Sequence, residues 1–311
     1  MLRENFPATI DLGEVDPDEF ILFFQENKQE IDKMLCDTGA VKFTGIHIGG
    51  IENFKKILDS TSEKFISYID GNSPRKKLSA NIYTSTEYDK TQRITMHNEL
   101  SFARYWPGKL YFFCVTPAET GGETLIADSR EILKRMDKEI VKEIESRGVR
   151  YIRNLHGGAG FGRSWQDTFE TDDKAQFERY CDHLGIERVW KEDGGVTILE
   201  RSRGVIEHRK TGQKVWFNQI DQFHPYQLGA EVYEAFKFSF ESPMEYPIYV
   251  TYGDGGVIED EVIAEVLKTI DEVTFAPKWQ ENELMIMDNE LAAHGRNPFT
   301  GDRTVLVGMS E

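Results

Sequence analysis

"MHNELSF" at residues 96–102 and "MDNELAAHGRNPFTGDRTVLVGM" at residues 287–309 are the two stretches that decide the fold. The first places His97 and Glu99 on either side of a single residue, and the second contains His294. Two histidines and one carboxylate on one side of a metal leave the opposite positions open, which is the ligand set of non-haem iron(II) oxygenases. The two stretches therefore predict one iron site.

Each stretch has a simpler interpretation when it is taken alone. With 7 histidines and 54 acidic residues in 311 positions, chance would place an acidic residue two positions after a histidine roughly once. His97 and Glu99 would then be solvent-facing side chains on one strand, where residues i and i+2 share a face. A zinc site, which needs three protein ligands and a water, is compatible with the same three residues.

Thr124 and Arg303 favour iron over zinc. A guanidinium group matches a carboxylate in a two-pronged geometry, and a nearby hydroxyl group can share that carboxylate. Together the two side chains can bind the distal carboxylate of 2-oxoglutarate, an oxo-acid co-substrate that occupies open iron positions along with O2. The alternatives are a surface arginine in a strand and an ordinary β-branched strand residue.

Composition indicates a globular protein with an acidic surface. Hydrophobic residues make up 39% of the chain and charged residues 29%, which is typical of a soluble domain. The net charge of −17 argues against nucleic acid or an anionic membrane as the main partner. Solubility is the simplest explanation of this charge, and a preference for cationic substrates is the other.

The cysteines and the first residues favour a reducing cytoplasm. Cys36, Cys114 and Cys181 are odd in number and widely spaced, which implies neither a disulfide framework nor a cysteine-rich zinc site. The segment MLRENFPATIDLGEV lacks an apolar signal core, and no segment approaches the length of a membrane span. We therefore expect a cytoplasmic protein without a membrane partner.

Hydrophobic periodicity predicts helices first and short strands later. Asp16 is a suitable N-cap, with Pro17 at the first helical position and Glu19 completing a capping box. The predicted helices span 16–35, 51–69, 129–148, 172–185, 229–239 and 258–270. The predicted strands span 39–46, 108–115, 124–128, 283–288 and 303–309.

This order favours an α+β fold with a double-stranded β-helix (jelly-roll) core and flanking and inserted helices. We see no repeat, low-complexity tract or linker, so we predict a single domain over 1–311 with a helical insertion at about 129–200. In such a barrel the strands bearing His97 and His294 pair closely, although they are far apart in sequence.

Five segments resemble the taurine dioxygenase/TfdA family of Fe(II)/2-oxoglutarate oxygenases. They are most similar to the branch that includes clavaminate synthase and the syringomycin-type aspartyl hydroxylase. The segments are 81–102, 114–133, 153–173, 214–225 and 287–309, and together they span most of the chain.

The resemblance implies a role for each of the residues named above. His97, Glu99 and His294 correspond to the iron ligands, Arg303 to the arginine that binds the distal carboxylate, and Thr124 to its hydroxyl partner. Many family members have aspartate where this chain has glutamate, a departure shared by the same branch. The carboxylate also argues against a halogenase, because halogenating relatives lose it so that chloride can bind iron.

The resemblance further implies the reaction type. Oxidative decarboxylation of 2-oxoglutarate to succinate and CO2 would activate O2 for attack on an unactivated C–H bond, while the protein places that bond. We expect an amino-acid hydroxylase of specialised metabolism. The alternatives are desaturation, cyclisation or catabolic cleavage of another small acid with the same cofactors, and a jelly-roll binding protein without enzymatic activity.

The substrate is expected to be a small molecule, either a free amino acid or one held on a carrier protein. A free amino acid presents a carboxylate that needs a cationic partner when it is buried, and Arg163 and Arg296 are the candidates. Trp216, Phe217 and Asn218 are further candidates to line the pocket, although core packing explains the two aromatic residues as well.

Two other histidines have less specific surroundings. We expect His224 to be structural or to support the site indirectly. His156 lies in a glycine-rich loop that lacks the strand–turn–helix setting of a dinucleotide site, so a lid over the substrate is the more suitable role.

Overall fold

A computed structural model describes most of the chain as a mixture of helices and sheets. The described residues are 6–62, 64–65, 70–71, 77–79, 82–84, 88–160 and 162–311. Parts of the predicted helix over 51–69 and of the segment 81–102 lie outside these residues. Among the described residues, no helix is both long and apolar enough to cross a membrane.

The α-helices of the described residues lie before, within and after the strand-rich parts of the chain. They are α1 (Pro17–Glu26), α2 (Lys28–Thr38), α3 (Ile51–Thr61), α4 (Ser129–Arg135), α5 (Lys138–Arg147), α6 (Trp165–Phe169), α7 (Lys174–Leu184), α8 (Ile220–Phe223), α9 (Ala230–Ser239) and α10 (Asp260–Val273).

The strands of the described residues are mostly short. They are β1 (Ala8–Val15), β2 (Ala40–Ile46), β3 (Lys77–Ser79), β4 (Ile82–Thr84), β5 (Ile94–His97), β6 (Lys109–Thr116), β7 (Thr120–Gly121), β8 (Thr124–Asp128), β9 (Val149–Leu155), β10 (Glu187–Trp190), β11 (Val196–Ser202), β12 (Val205–Glu207), β13 (Lys214–Trp216), β14 (Ile248–Tyr252), β15 (Leu284–Asp288), β16 (Ala292–Arg296), β17 (Phe299–Thr300) and β18 (Thr304–Ser310).

Two sheets form the centre of the molecule. The large sheet has the order β1-β2-β15-β6-β18-β4-β3, and the small sheet has the order β5-β16-β8. Along the chain, β4, β5, β6, β8, β15, β16 and β18 belong alternately to the large and the small sheet. This alternation brings late strands beside early ones, so that β16 pairs with both β5 and β8.

The first predicted helix is divided in two. The expected capping box is present, because Asp16 accepts from the Glu19 amide while Glu19 accepts from the Asp16 amide. A single helix over 16–35 was nevertheless wrong, since α1 and α2 meet at Asn27. The Asn27 side chain donates to the Phe23 carbonyl at 2.8 Å and occupies an acceptor at the end of α1, so the chain can start a second helix there.

The apolar side chains of the large sheet alternate between two cores, as expected for a sheet buried on both faces. Phe113 and Ile286 face α1, α2 and α3. Phe112 and Met285 face the space between the two sheets. The face of the large sheet that carries Phe112 and Met285 therefore forms one wall of the space between the two sheets. The small sheet projects side chains into the same space.

The predicted helical insertion over 129–200 is only partly helical. It contains α4 to α7, but also β9, β10 and most of β11. These strands join β14 in an antiparallel sheet of order β10-β11-β9-β14. The predicted helix over 129–148 is also divided, because Asp137 caps a new helix, α5, by accepting from the Glu139 amide at 2.8 Å.

A buried ion cluster holds the chain at residue 70 against the β10-β11-β9-β14 sheet. Arg153 on β9 donates to Glu200 Oε2 on β11 at 2.6 Å and also to the Asp70 carboxylate. Burial raises the pKa of both carboxyl groups, and burial together with the nearby Asp70 charge raises that of Glu200 to about 8. One proton therefore remains on the pair at neutral pH.

We expect this proton to make stability fall as the pH rises from about 5 to about 8. The ordinary pKa of a glutamate is 4.5, so in this window the folded state holds a proton that the unfolded chain has lost. For one proton, the free energy of unfolding changes by at most about 1.4 kcal/mol per pH unit. Glu200→Gln, which is neutral at every pH, should flatten the dependence measured by denaturant unfolding. An unchanged slope in the variant would place the proton elsewhere.

Candidate metal centre and co-substrate site

His97, Glu99 and His294 lie together at the junction of β5 and β16. His97 is the last residue of β5, Glu99 follows two positions later, and His294 is at the centre of β16. The register pairs His97 directly with His294, and their ring centres are 4.3 Å apart. His294 Nε2 is 3.7 Å from Glu99 Oε2, and one ligand atom of each residue lies within 4.8 Å of the other two.

This arrangement fits a metal ion. Nitrogen and carboxylate oxygen bind transition metals at about 2.0–2.2 Å, so one ion can bridge two ligand atoms that are 3.7 Å apart. The two histidines expose 4% of their surface and Glu99 exposes 3%, which limits competition from water. Burying one carboxylate and two imidazole groups this close together costs free energy, unless a cation or bound protons balance the charge and polarity of these groups.

The two imidazole rings are oriented by different contacts. His97 Nδ1 lies 2.9 Å from the Thr95 carbonyl, which favours a proton on Nδ1 and leaves the Nε2 lone pair for a metal. His294 packs at 5.2 Å from the Phe112 ring centre. Its Nδ1 is buried and has no hydrogen-bond partner in the described part of the chain, so packing and strand register set its orientation.

Asn289 fixes the backbone that carries Glu99, and the sequence patterns did not indicate it. Its Oδ1 accepts from the Glu99 amide at 2.7 Å, and its Nδ2 donates to the Glu99 carbonyl at 2.9 Å. Asn98 donates to the Asn289 carbonyl at 2.7 Å, and Gln219 donates to the Asn98 carbonyl at 2.8 Å. The loop between the first two candidate ligands is therefore held on both sides.

Asn289→Ala is expected to weaken Fe(II) binding by about 10- to 100-fold, the range typical of losing an outer partner of a metal ligand. The change removes both hydrogen bonds to the Glu99 backbone, so its carboxylate is no longer fixed. Anaerobic competition against a chromogenic chelator measures the affinity. Asn53→Ala, which removes one bond to the Ile48 carbonyl, is the control. Equal affinity of the Asn289 variant and wild type would contradict the role.

Thr124 and Arg303 meet beside this centre. Thr124 begins β8 and pairs directly with Arg296, two residues beyond His294 on β16. Arg303 precedes β18, donates through Nε to the Gly122 carbonyl at 2.7 Å, and has Nη2 at 3.4 Å from Thr124 Oγ1. Since paired and alternate strand residues share a face, Thr124 and His294 face the same interior.

Arg303 is held in an environment that disfavours its charge. Burial, and to a smaller extent the nearby positive charge of Arg296, lower its pKa to about 10. The thiol of Cys114 is also close, but burial raises its pKa to about 12, so it is uncharged at neutral pH. A carboxylate bound at Arg303 would restore the preference for the charged guanidinium.

Trp279 is a second neighbour that the sequence patterns did not indicate. It lies in the segment before β15, where nothing in the sequence connects it with Thr124. Its indole Nε1 donates to Thr124 Oγ1 at 2.9 Å. The threonine hydroxyl therefore accepts from the indole, and its own proton is directed toward another acceptor.

The predicted substrate residues Trp216, Phe217 and Asn218 occupy buried positions. Trp216 ends β13 and belongs to the inner core. The Phe217 ring is 4.9 Å from that of Trp106. Asn218 donates to the Gly204 carbonyl at 2.9 Å and accepts from the amide that begins α8. Substrate contact by these residues stays a prediction.

The two predicted substrate arginines bind backbone carbonyls. Arg163 donates to the carbonyls of Gly71 and Asp167 at 2.9 and 3.0 Å. Arg296 donates to three carbonyls in the turn at residues 88–92, at distances of 2.8–3.3 Å. Arg296 thus lies near Thr124 and Arg303, whereas Arg163 lies near α6, and a substrate role for either stays a prediction.

The remaining histidines named above have structural contacts. His224 accepts from the Tyr226 amide at 3.3 Å and caps the short 3-10 helix Pro225–Leu228. Burial lowers its pKa to about 4, so it is neutral at physiological pH. His156 accepts from the Gly158 amide at 3.1 Å within its own loop.

A cavity of about 1430 Å³ opens beside the loop that follows Glu99. Ser101, Trp106 and Phe217 lie on its wall, but none of the three candidate metal ligands does. Among the predicted substrate residues, only Phe217 borders this space. The cavity therefore adjoins the metal-bearing loop without containing the metal centre itself.

Comparison with known proteins decides the family. Residues 2–310 match the family model described as "Taurine catabolism dioxygenase TauD, TfdA family". The chain belongs to the TauD/TfdA family. It is thus an Fe(II)- and 2-oxoglutarate-dependent dioxygenase that uses O2, and both the zinc site and the non-enzymatic binding protein considered above are wrong.

Individual members of the family cover nearly the whole chain. The dapdiamide synthesis protein DdaC of Enterobacter agglomerans is 33% identical over 302 residues, which is 97% of this chain and 89% of DdaC. A clavaminate synthase-like protein of Arabidopsis thaliana is 28% identical over 310 residues, which is 97% of this chain and 90% of that protein. Both agree with the branch that the sequence resembles.

A solved structure with low sequence identity to this chain has a similar fold. AAD-2, crystallised with Mn(II) and N-oxalylglycine, has a TM-score of 0.55 and 13% identity, and the alignment covers all of this chain and 95% of AAD-2. The similarity of fold therefore extends over the two central sheets, the helices around them and the β10-β11-β9-β14 sheet.

Proposed function

We propose that this TauD/TfdA-family dioxygenase hydroxylates an unactivated C–H bond of an amino acid, either free or held on a carrier protein. The proposal rests on one observation: two groups of side chains lie close together and face the same interior. His97, Glu99 and His294 form the first group, and Thr124 and Arg303 form the second.

We infer that the two central sheets form a double-stranded β-helix within a single oxygenase domain over residues 1–311. The alternation of strands between the large and small sheets supports this inference, as does the similarity of fold to AAD-2. In a jelly roll of this kind the paired strands β5 and β16 would lie at one end of the barrel, and His97, Glu99 and His294 would hold the metal there.

In this proposal the three buried ligands hold Fe(II), and Arg303 and Thr124 hold the distal carboxylate of 2-oxoglutarate. The bound iron supplies O2 activation coupled to oxidative decarboxylation of that co-substrate. The protein's residues exclude water by burial and keep the ligand atoms within 4.8 Å of one another. Trp279 orients the Thr124 hydroxyl, and Asn289 orients Glu99.

The amino-acid substrate is supported by the relatives. DdaC is named for dapdiamide synthesis, and this agrees with a role for the present chain in specialised metabolism. Among the predicted substrate residues, Phe217 lines the cavity next to the loop after Glu99. Four other residues stay candidates for direct contact with the substrate: Arg163, Arg296, Trp216 and Asn218.

Incubation with free amino acids and with the same amino acids loaded on a carrier protein tests the substrate class. We expect 2-oxoglutarate-dependent succinate formation and a mass gain of one oxygen atom in one of the two sets. Turnover of free amino acids alone would reject the carrier. Turnover of neither set, together with full activity on an unrelated acid such as a sulfonate, would reject both.

A further inference from the structure

The hydroxyl group of Thr124 accepts two hydrogen bonds and donates none within the described part of the chain. Trp279 Nε1 lies 2.9 Å from Thr124 Oγ1, and Arg303 Nη2 lies 3.4 Å from the same oxygen. An indole N–H and a guanidinium N–H can only donate, whereas a hydroxyl group has two acceptor lone pairs and one proton. Both lone pairs of Thr124 Oγ1 therefore face donors, and its proton needs an acceptor.

This hydroxyl proton is buried. Thr124 exposes only 3% of its surface, so leaving the proton without an acceptor costs free energy. A bound carboxylate would supply the acceptor, because an ionised carboxylate accepts hydrogen bonds and donates none. An amide group in the same place would offer an N–H group that finds no free lone pair on the hydroxyl oxygen. A methyl group would offer no acceptor at all.

The segment that carries Trp279 is fixed on both sides of the indole. On one side, Phe275 and Ile126 exchange backbone hydrogen bonds of 2.8 and 2.9 Å, and Ile126 lies on β8 two residues beyond the threonine. On the other side, the Gln280 amide donates to Glu283 Oε2 at 2.8 Å. The backbone around the indole is therefore held in place beside β8.

We propose that Trp279 determines which distal group the co-substrate site favours. Because the indole occupies one lone pair of the Thr124 hydroxyl, it makes that hydroxyl a donor, so that the site favours a carboxylate over an amide or a methyl group. The inference rests on the proposed function, in which Thr124 and Arg303 bind the distal carboxylate of 2-oxoglutarate. Trp279 is a positioning residue, since it acts through the hydroxyl group.

Three ligands that share the metal-chelating oxalyl group and differ at the distal end test this role. N-Oxalylglycine, the compound crystallised with AAD-2, ends in a carboxylate, N-oxalylglycinamide in an amide and N-ethyloxamate in a methyl group. Their dissociation constants for the anaerobic Fe(II) protein are measured by calorimetry with wild type, W279F and W190F. Trp190 is the matched control, because it lies on β10 and its indole also donates to a side chain, at 3.0 Å from Glu178 Oε1.

We expect W279F to reduce the preference for the carboxylate over the amide about fivefold, the effect typical of one neutral hydrogen bond. The freed lone pair of Thr124 can then accept from the amide, and the indole no longer directs the hydroxyl proton to the carboxylate. The affinity for N-ethyloxamate should not change, because this ligand makes no polar contact at the distal end. W190F should bind all three ligands as wild type does.

Equal weakening of all three ligands by W279F would reduce Trp279 to a structural residue and overturn the proposal. The same loss of preference in W190F would overturn it as well, because the ratio would then report general damage. If W279F does not fold, an unchanged preference in T124A, or a lost preference in T124S, which keeps the hydroxyl group, would overturn it. An unchanged preference for N-oxalylglycine over N-ethyloxamate in R303Q would instead reject the co-substrate assignment of the proposed function.

Discussion

Under anaerobic conditions with Fe(II) and 2-oxoglutarate, the wild-type protein is expected to show a weak visible charge-transfer band, and His294→Ala is expected to abolish it. His294 provides one of three buried ligand atoms, and its Nε2 lies 3.7 Å from Glu99 Oε2. Its ring contacts are the aromatic rings of His97 and Phe112. Removing the imidazole takes away one of the two nitrogen ligands, so we expect Fe(II) to bind too weakly to form the chelate.

Absorption during an anaerobic titration checks this result. His183→Ala is the matched control, because His183 is exposed near the end of α7. A normal band in His294→Ala would remove His294 from the metal site. Loss of the band in both variants would show that the titration reports on general damage to the protein.

Arg303→Ala is expected to weaken 2-oxoglutarate binding by roughly 30-fold or more. Removing one partner of a buried charge pair costs about 2–5 kcal/mol, and every 1.4 kcal/mol is about tenfold in affinity. The bond to the Gly122 carbonyl holds the guanidinium near Thr124 Oγ1, where we propose that the distal carboxylate binds. Calorimetric titration of the anaerobic Fe(II) protein measures the change.

Two further variants calibrate this prediction. Thr124→Val removes a neutral hydrogen bond worth about 1 kcal/mol, so its effect should be roughly fivefold. Arg188→Ala removes an arginine whose partner, Asp182, lies on α7, and it should bind 2-oxoglutarate as wild type does. An unchanged dissociation constant in Arg303→Ala would reject its assignment to the distal carboxylate.

The residues that meet at the candidate site could be predicted because their side-chain chemistry is specific. Two histidines and a carboxylate are suitable ligands for Fe(II), and an arginine with a hydroxyl group is suitable for the distal carboxylate. The structure brings His97, Glu99, His294, Thr124 and Arg303 into one interior region. The roles of these residues remain predictions until the variants above are measured.

The supporting contacts could not be predicted because they depend on tertiary packing. Asn289 and Trp279 act through side-chain hydrogen bonds to residues that are distant in sequence. Asn27 divides the first helix through a local bond to Phe23, which competes with an otherwise continuous helical periodicity. β14 joins the inserted sheet from outside the predicted range, and periodicity alone does not assign strand partners.

The pairing of β5 with β16 has a consequence for when the protein can acquire iron. Glu99 and the asparagine that fixes its backbone are 190 residues apart, and His294 follows that asparagine. During translation, the early strand therefore leaves the ribosome long before its partner exists. Contacts of such long range form slowly, because a large loop must close first. If His97, Glu99 and His294 bind iron as we propose, iron loading must follow the synthesis of β16.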